Sequence, residues 1–112
     1  MAENKLADMS TEFAIQILKL TENIKGHYSL SNQLERSGTS IGANIREAFY
    51  AHGKADFIAK LQIALKECSE SEYWLELLIE SGYCEDASIL DQCIEVKKLL
   101  IASINTAKSN LK

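Results

Sequence analysis

Residues 26–53 read GHYSLSNQLERSGTSIGANIREAFYAHG, an amphipathic stretch with a glycine at each end. Spacings of four and seven residues place its large apolar side chains on one helix face, and these are Leu30, Leu34, Ile41, Ile45 and Phe49. Glycine readily adopts the left-handed backbone conformation that ends many helices. The stretch therefore predicts a helix over about residues 29–52 with a turn on either side.

A third glycine, Gly82, extends this pattern to the whole chain. Gly26, Gly53 and Gly82 divide the 112 residues into four amphipathic segments, and the sequence contains no proline. No segment shows the alternation of apolar and polar residues that is typical of a strand. The predicted helices cover about residues 10–25, 29–52, 54–81 and 86–111.

The ends of these helices predict how the helices are arranged. Ser10 and Asp86 are candidate N-caps, because their side-chain oxygens can accept hydrogen bonds from free backbone amides. Connections this short force consecutive helices to run antiparallel. We expect a single all-α domain over residues 1–112, an antiparallel up-down-up-down four-helix bundle. The predicted core face of the first helix consists of Phe13, Ile17, Leu20 and Ile24. That of the third helix consists of Phe57, Leu61, Ala64, Leu65, Cys68, Leu75 and Ile79. That of the fourth helix consists of Ile89, Cys93, Val96, Leu100, Ile104, Ala107 and Leu111.

The composition narrows the class of protein. The chain is 46% hydrophobic and 25% charged, which suits a folded domain and excludes a disordered tail. No apolar run approaches the roughly 20 residues of a membrane span, and the first residues lack a secretory signal pattern. We therefore expect a cytoplasmic protein with no membrane partner. The net charge of −4 and the acidic isoelectric point disfavour nucleic-acid backbone binding, which depends on lysine and arginine.

The residues with catalytic potential form no recognised metal or nucleophilic site. Cys68, Cys84 and Cys93 are an odd number without a CxxC pair, so we expect small buried thiols in a reducing cell. A di-metal bundle needs Glu-x-x-His pairs, and His27 and His52 do not complete any. The sequence therefore predicts no metal, no cofactor and no catalytic residues.

One alternative to a non-enzymatic protein remains. Arg46 and His52 have a spacing similar to that of the Arg-x(4-6)-His motif of the helical HEPN ribonucleases. Such a pair could stabilise charge on a phosphate and move a proton. Glu47 follows Arg46 where a neutral polar residue is more usual, and single pairs at this spacing arise often by chance.

Several helices carry more apolar residues than one core face needs. Helix one adds Ile15 and Leu18, and helix three adds Trp74, Leu77 and Leu78. Wide or second apolar faces on several helices indicate self-association through at least two faces. The predicted oligomer interface consists of Leu90, Ile94, Ile101 and Trp74.

Helix two also carries a polar ridge, formed by Gln33, Arg36, Ser40, Asn44 and Glu47. It could be a ligand or nucleic-acid surface centred on Arg36 and Asn44. It could instead set the register between helices or subunits, with Arg36 paired to Glu70 or Glu72. Glu72 interrupts the apolar face of helix three, so its carboxylate needs a partner.

Two further features have competing interpretations. Gly38 and Gly42 each cost about 1 kcal/mol inside a helix, which indicates close approach of another helix; a phosphate cradle would need a glycine motif that the chain lacks. The lysines of helix four could contact nucleic acid or form a solvated face near a helix C-terminus. These lysines are Lys97, Lys98, Lys108 and Lys112.

Residues 31–48, SNQLERSGTSIGANIREA, resemble the bacterial four-helix-bundle proteins related to those encoded in 23S ribosomal RNA intervening sequences. The stretches KADFI (54–58), IALKE (63–67) and EYWLELL (72–78) resemble the third helix of that family. The resemblance implies a ring-like homopentamer with no known catalytic activity. Some relatives are accessory proteins of diversity-generating retroelements, where a basic ring binds a reverse transcriptase and nucleic acid. This chain departs from them in its acidity and in Gly42-Ala43, where many members have Pro-Ser.

Taken together, these features predict a non-enzymatic, oligomeric helical scaffold or adaptor for an unidentified protein or ribonucleoprotein partner. The alternative is a nucleic-acid-binding accessory protein that repeats its basic residues around the oligomer.

Overall fold

The structure is a computed structural model that describes the backbone of residues 2–110 and the side chains of residues 5–110. It contains the helices α1 (Ala2–Asn23), α2 (Tyr28–Phe49), α3 (Lys54–Glu80) and α4 (Ser88–Ser109). No strand occurs between residues 2 and 110. The all-α four-helix bundle predicted from the sequence is confirmed.

The helices pack in chain order around one core. Each of α2 and α3 contacts its neighbours in sequence, and α4 closes the bundle against α1. Short turns join the helices, so consecutive helices run antiparallel. The α2/α3 seam is the most extensive and the α1/α4 seam is the loosest. The result is an elongated molecule of 48 × 20 × 19 Å.

The core is close to the predicted faces, although Ala48 and Ile58 are buried without having been predicted, and three further residues differ. Leu78, expected outside the main face of α3, is fully buried because the buried residues of this helix follow a heptad-like pattern. Leu6 is also buried, although no helix was expected there. Phe49, expected inside, is 37% exposed at the last turn of α2. Leu111 lies outside the described residues.

The start of α1 is the main error in the predicted helix bounds. The helix begins at Ala2, well before the expected start at Ser10. Ser10 is not an N-cap: it is buried, and its hydroxyl donates to the carbonyl of Ala7 at 3.0 Å. A Cβ added to Gly42 would lie 3.3 Å from Ser10 Oγ. Ser10 is therefore one of the small residues that let α1 and α2 approach.

The start of α4 is close to the predicted one. The N-cap residue is Ala87, and Asp86 lies one position before it. The carboxylate of Asp86 nevertheless accepts a hydrogen bond from the backbone amide of Ser88 at 2.9 Å. The hydrogen bonds from Ser88 lower the pKa of Asp86. Asp86 thus binds a free amide at the start of α4, as expected of a capping carboxylate.

Gly38 confirms the expected close approach of another helix. A Cβ at this position would lie 3.0 Å from Cγ1 and 3.1 Å from Cγ2 of Ile17 in α1. Ile17 is fully buried and β-branched, so it has little freedom to move. Across the opposite seam, the buried hydroxyls of Ser37 and Ser71 lie 2.8 Å apart and join α2 to α3.

The three cysteines are free and buried, as expected of small core thiols. Sγ of Cys68 in α3 lies 3.8 Å from Sγ of Cys93 in α4. The hydrogen bond with Cys68, followed by burial, raises the pKa of Cys93. Among the described helices, none is both long and apolar enough to cross a membrane.

Candidate interaction surface

The polar ridge of α2 lies along the seam with α3, and Arg36 is its centre. The Arg36 guanidinium donates to Glu67 at 3.0 Å and to Glu70 at 2.6 Å. Its Nε also donates to Gln33 of the same helix at 3.3 Å. The hydrogen bond to Glu70 is the main cause of the raised pKa of Arg36. Trp74 joins this network by donating from its indole N–H to Glu70 at 3.3 Å.

The rest of the ridge is also bonded within the chain. Ser40 Oγ donates to the carbonyl of Arg36 at 2.6 Å, and Asn44 Nδ2 donates to the carbonyl of Ser40 at 2.9 Å. Glu47 lies 3.8 Å from the ammonium group of Lys60 in α3. Two residues of the ridge, Arg36 and Glu47, therefore form ion pairs with α3. This geometry favours a role in helix register over a vacant ligand surface.

The alternative pairing of Arg36 with Glu72 is wrong. Glu72 accepts a hydrogen bond from Lys97 of α4 at 2.7 Å. Glu70 and Glu72 are two positions apart, about 200° around the helix, so they face different neighbours. The hydrogen bond to Glu72 is the main cause of the raised pKa of Lys97. The half-buried carboxylate thus has the partner that its position requires.

Only part of the expected basic set remains available to a ligand. Lys97 donates to Glu72 at 2.7 Å, so this lysine already has a partner within the chain and is less suited to contact nucleic acid. The Lys98 side chain is 69% exposed, with a weak 3.8 Å contact to Glu95 of its own helix. Lys108 is exposed in the last turn of α4. Lys112 lies outside the described residues.

The four residues of the predicted oligomer interface do not form one patch. Trp74 belongs to the α2/α3 seam through Glu70, and both Trp74 and Leu90 pack partly against the core. Ile94 is half-buried and Ile101 is 42% exposed on α4. Ile15 and Leu18 of α1 are also exposed, as their position outside the core face predicted.

Sequence reasoning missed further exposed apolar and aromatic residues, among them two in α3. Ile63 and Tyr73 of α3 are both more than 40% exposed. Their spacing within a helix rich in apolar residues gave no signal to separate them from the core face. Exposed aliphatic side chains therefore occur on α1, α3 and α4, and exposed aromatic ones, Tyr28 and Phe49, at the two ends of α2.

Arg46 and His52 line the same shallow depression at the end of α2. Arg46 donates to the hydroxyl of Thr11 in α1 at 3.5 Å, and the backbone amide of His52 donates to Asp56 at 3.3 Å. No hydrogen bond joins the Arg46 and His52 side chains among the described residues. The remaining lining residues are Glu47, Tyr50, Asp56 and Lys60. Glu47 and Asp56 thus add two carboxylates to the depression that holds Arg46 and His52, and their negative charge disfavours binding of the phosphate that a ribonuclease needs.

Metal ligands do not converge either. Among the side chains of residues 5–110, no group of three or more histidines, cysteines, aspartates or glutamates could hold a metal ion. The functional features of the described chain are therefore its charged seams and its exposed apolar side chains.

The pattern of these helices matches a known family. The 23S rRNA-intervening sequence protein family matches residues 2–102. The chain belongs to this family. A crystal structure from Bacteroides thetaiotaomicron, of a protein of unknown function from the S23 ribosomal protein family, has the same fold with a TM-score of 0.87. It is 49% identical in sequence, over 94% of this chain and 99% of that chain. No curated protein matches the chain.

Membership of the 23S rRNA-intervening sequence protein family confirms the resemblance read from residues 31–48 and from the third helix. The match includes α1, α2, α3 and most of α4. The family description names no enzyme activity, and the Bacteroides protein is of unknown function.

Proposed function

We propose that this member of the 23S rRNA-intervening sequence protein family is a non-enzymatic homo-oligomer that acts as a scaffold or adaptor in the cytoplasm. The family resemblance suggests that the oligomer contains five chains. The partner is a protein or a ribonucleoprotein. The observation that carries the proposal is the exposure of large aliphatic side chains on a bundle whose own core is complete.

These side chains have no structural role within one chain. Ile15, Leu18, Ile63 and Ile101 are each more than 40% exposed, whereas the core residues beneath them are almost fully buried. Burying such a side chain stabilises an assembly by up to about 1–2 kcal/mol. Four of them on three helices supply a substantial part of the apolar area that a stable interface needs.

The distribution of these side chains favours a ring or another head-to-tail assembly. They lie on α1, α3 and α4, which no single flat contact can cover. A two-fold dimer uses one surface patch on each chain, whereas a head-to-tail assembly uses two different patches. A closed ring buries both patches on every chain, which suits exposed residues on several sides of the bundle.

The test is light scattering on size-exclusion chromatography with absorbance read at 260 and 280 nm. We expect several chains in one particle and a protein-like absorbance ratio. The variant Ile94→Asp/Ile101→Asp should give a monomer with wild-type helicity by circular dichroism, because two carboxylates oppose burial of this face. The matched control Ser29→Asp/Asn32→Asp adds the same charge at the exposed start of α2 and should leave the mass unchanged. A monomeric wild-type chain contradicts the proposal.

A second candidate function is nucleic-acid binding by the assembled oligomer. Lys98 and Lys108 are exposed on α4, and repetition around an oligomer would concentrate them. Excess absorbance at 260 nm, and RNA binding that weakens steeply with salt and is lost in Lys98→Ala/Lys108→Ala, would support it. A protein-like absorbance ratio together with no salt-dependent RNA binding would contradict this second function, and the scaffold function would then be the one that remains.

A further inference from the structure

The end of the bundle where α2 ends and α3 begins carries a groove of about 520 Å³ that runs along α4. On α4 the groove extends from Leu99 to Asn110, a distance of about 16 Å at 1.5 Å per residue. Phe49 of α2 and Phe57 of α3 also line it. A groove of this volume can hold a small molecule, and sites of this size are usually apolar with a few polar groups.

Small side chains leave this space open. Ala48 and Ala107 are buried in the lining, although most of the core consists of leucine and isoleucine, and Ala102 lines the groove at an exposed position. The two aromatic rings are therefore incompletely covered, since Phe49 is 37% exposed and Phe57 is half-buried. An apolar ligand in the groove would remove this surface from water, which favours its binding.

The groove is positively charged in a chain whose net charge is −4. Lys54 is the one charged side chain among the described lining residues. No carboxylate between residues 5 and 110 lies within salt-bridge distance of its ammonium group. Asp56, the acid in the same turn of α3, lines the neighbouring depression and accepts a hydrogen bond from the backbone amide of His52. The groove thus contains a cation that the chain does not neutralise.

The start of α3 adds hydrogen-bond donors beside Lys54. The N-cap residue is Gly53, which lines the groove and has no side chain to cap the helix. The first backbone amides of a helix have no acceptor within the helix, and a helix N-terminus favours negative charge. Because α4 ends where α3 begins, the Thr106 hydroxyl and the Asn110 side-chain amide line the same end of the groove. Donors for an anion are therefore concentrated at one end.

We propose that this groove binds a linear aliphatic carboxylate, a free fatty acid of medium length. The alkyl chain lies along Leu99, Ala102 and Phe57, and the carboxylate accepts hydrogen bonds from Lys54 and from the start of α3. The groove selects this class of ligand because it is long, apolar toward the middle of the bundle and cationic at the end of the bundle. The site goes beyond the proposed scaffold function and does not depend on assembly of the chain.

The test is a titration of the full chain with octanoate, followed by the amide signals in nitrogen–proton correlation spectra. We expect saturable shifts at Lys54, Phe57 and Ala102, which lie on three sides of the groove. Octanol has the same alkyl chain without the charge and should bind more weakly, because it forms no charge-assisted hydrogen bond with Lys54.

Two variants test the two parts of the site separately. Lys54→Gln should weaken octanoate binding about tenfold and change octanol binding less than about twofold, because only the carboxylate loses a partner. Ala102→Leu fills the groove and should weaken both ligands about tenfold or more. The matched controls are Lys66→Gln and Ala59→Leu, which make the same changes at exposed positions of α3 outside the groove and should leave both affinities unchanged. Circular dichroism checks the fold, and Thr106→Leu replaces Ala102→Leu if that variant does not fold.

The outcomes distinguish this ligand from other occupants of the groove. The absence of saturable shifts in the wild type overturns the site. Unchanged octanoate affinity in Lys54→Gln, or equal binding of octanoate and octanol by the wild type, overturns the anionic ligand. If octanoate does not bind and Ala102→Leu lowers the oligomer mass in light scattering, a second copy covers the groove. That result overturns the ligand proposal and leaves the oligomeric function intact.

Discussion

Glu70 and Glu72 are two positions apart in α3 and bind opposite neighbours: Glu70 accepts from Arg36 of α2 at 2.6 Å, and Glu72 accepts from Lys97 of α4 at 2.7 Å. A rotation of α3 about its axis would break one contact as it strained the other. The two ion pairs therefore fix the rotation of α3 between its neighbours. Apolar packing alone specifies rotation less sharply, since leucine and isoleucine tolerate small shifts.

Arg36→Ala should lower the midpoint of thermal unfolding by about 1–4 °C, because it removes two charge-assisted hydrogen bonds between α2 and α3. The effect is modest because the side chain is half exposed to solvent. Differential scanning fluorimetry and light scattering should be measured on the same samples. Arg46→Ala, which loses only a 3.5 Å contact, is the control and should change the midpoint less. Wild-type stability and mass in Arg36→Ala, together with lost partner binding, would instead favour the ligand surface.

The contribution of the Lys97–Glu72 ion pair to the free energy of unfolding should decrease at high pH. The folded chain raises the pKa of Lys97, so it holds this proton more tightly than the unfolded chain does. The resulting stabilisation is complete below the ordinary lysine pKa of about 10.4 and is lost as the pH rises through the higher folded value. The stability difference between the wild type and Lys97→Met, about 1 kcal/mol at pH 7, should therefore be constant to about pH 10 and shrink above it.

Urea unfolding at a series of pH values measures this difference. Lys97→Met/Glu72→Gln is the control, because it removes both charges and titrates neither group. A difference between the wild type and Lys97→Met that stays constant to pH 11.5 would show that the pair contributes nothing through protonation.

Gly38→Ala should destabilise the bundle by about 1–2 kcal/mol, although alanine is the better helix former. The new methyl would lie 3.0 Å from Ile17, a fully buried side chain that has no open space to enter. Gly42→Ala is the matched control in the same helix, and its methyl would meet Ser10 Oγ at 3.3 Å. We expect Gly42→Ala to be close to neutral. Equal urea midpoints for the two variants would show that α1 can shift to accept the methyl group.

The buried thiols should be slow to react in the folded protein. Burial raises the pKa of Cys84, and the hydrogen bond with Cys68 raises that of Cys93, so little thiolate forms at neutral pH. A disulfide-exchange reagent at pH 8 should modify the native protein at least tenfold more slowly than the urea-unfolded chain. Cys84 should react first, because it lies in the α3–α4 connection rather than within a helix. Mass spectrometry of labelled peptides identifies the order, and first reaction at Cys68 or Cys93 would contradict it.

The helices could be predicted wherever the spacing of the apolar residues and a glycine at the end of the segment indicated the same bounds. The observed bounds of α2, α3 and α4 are within three residues of the predicted ones. The start of α1 was wrong because Ser10 has the side chain of a cap yet lies buried inside a helix. A serine whose hydroxyl bonds to a carbonyl in the preceding turn and a serine that caps a helix are alike in sequence.

The charged seams could be predicted only in part. The need of Glu72 for a partner was evident from its position among apolar residues, but its choice of Lys97 over Arg36 depends on which side of α3 each neighbour occupies. Glu67 was missed as a partner of Arg36, because the relative height of α2 and α3 sets which carboxylates the guanidinium reaches. A groove between α1 and α4 was also missed, since its acids come from helices that are far apart in sequence; they are Asp8, Glu12, Asp91 and Glu95.

The sequence by itself determined four amphipathic helices, the family and most of the core, because periodicity and glycine placement are local properties of the chain. The tertiary structure alone decided which charges pair, which apolar side chains stay exposed and where an anionic groove meets solvent. These depend on the rotation and height of each helix against its neighbours, which many small packing contacts set together and no local pattern encodes.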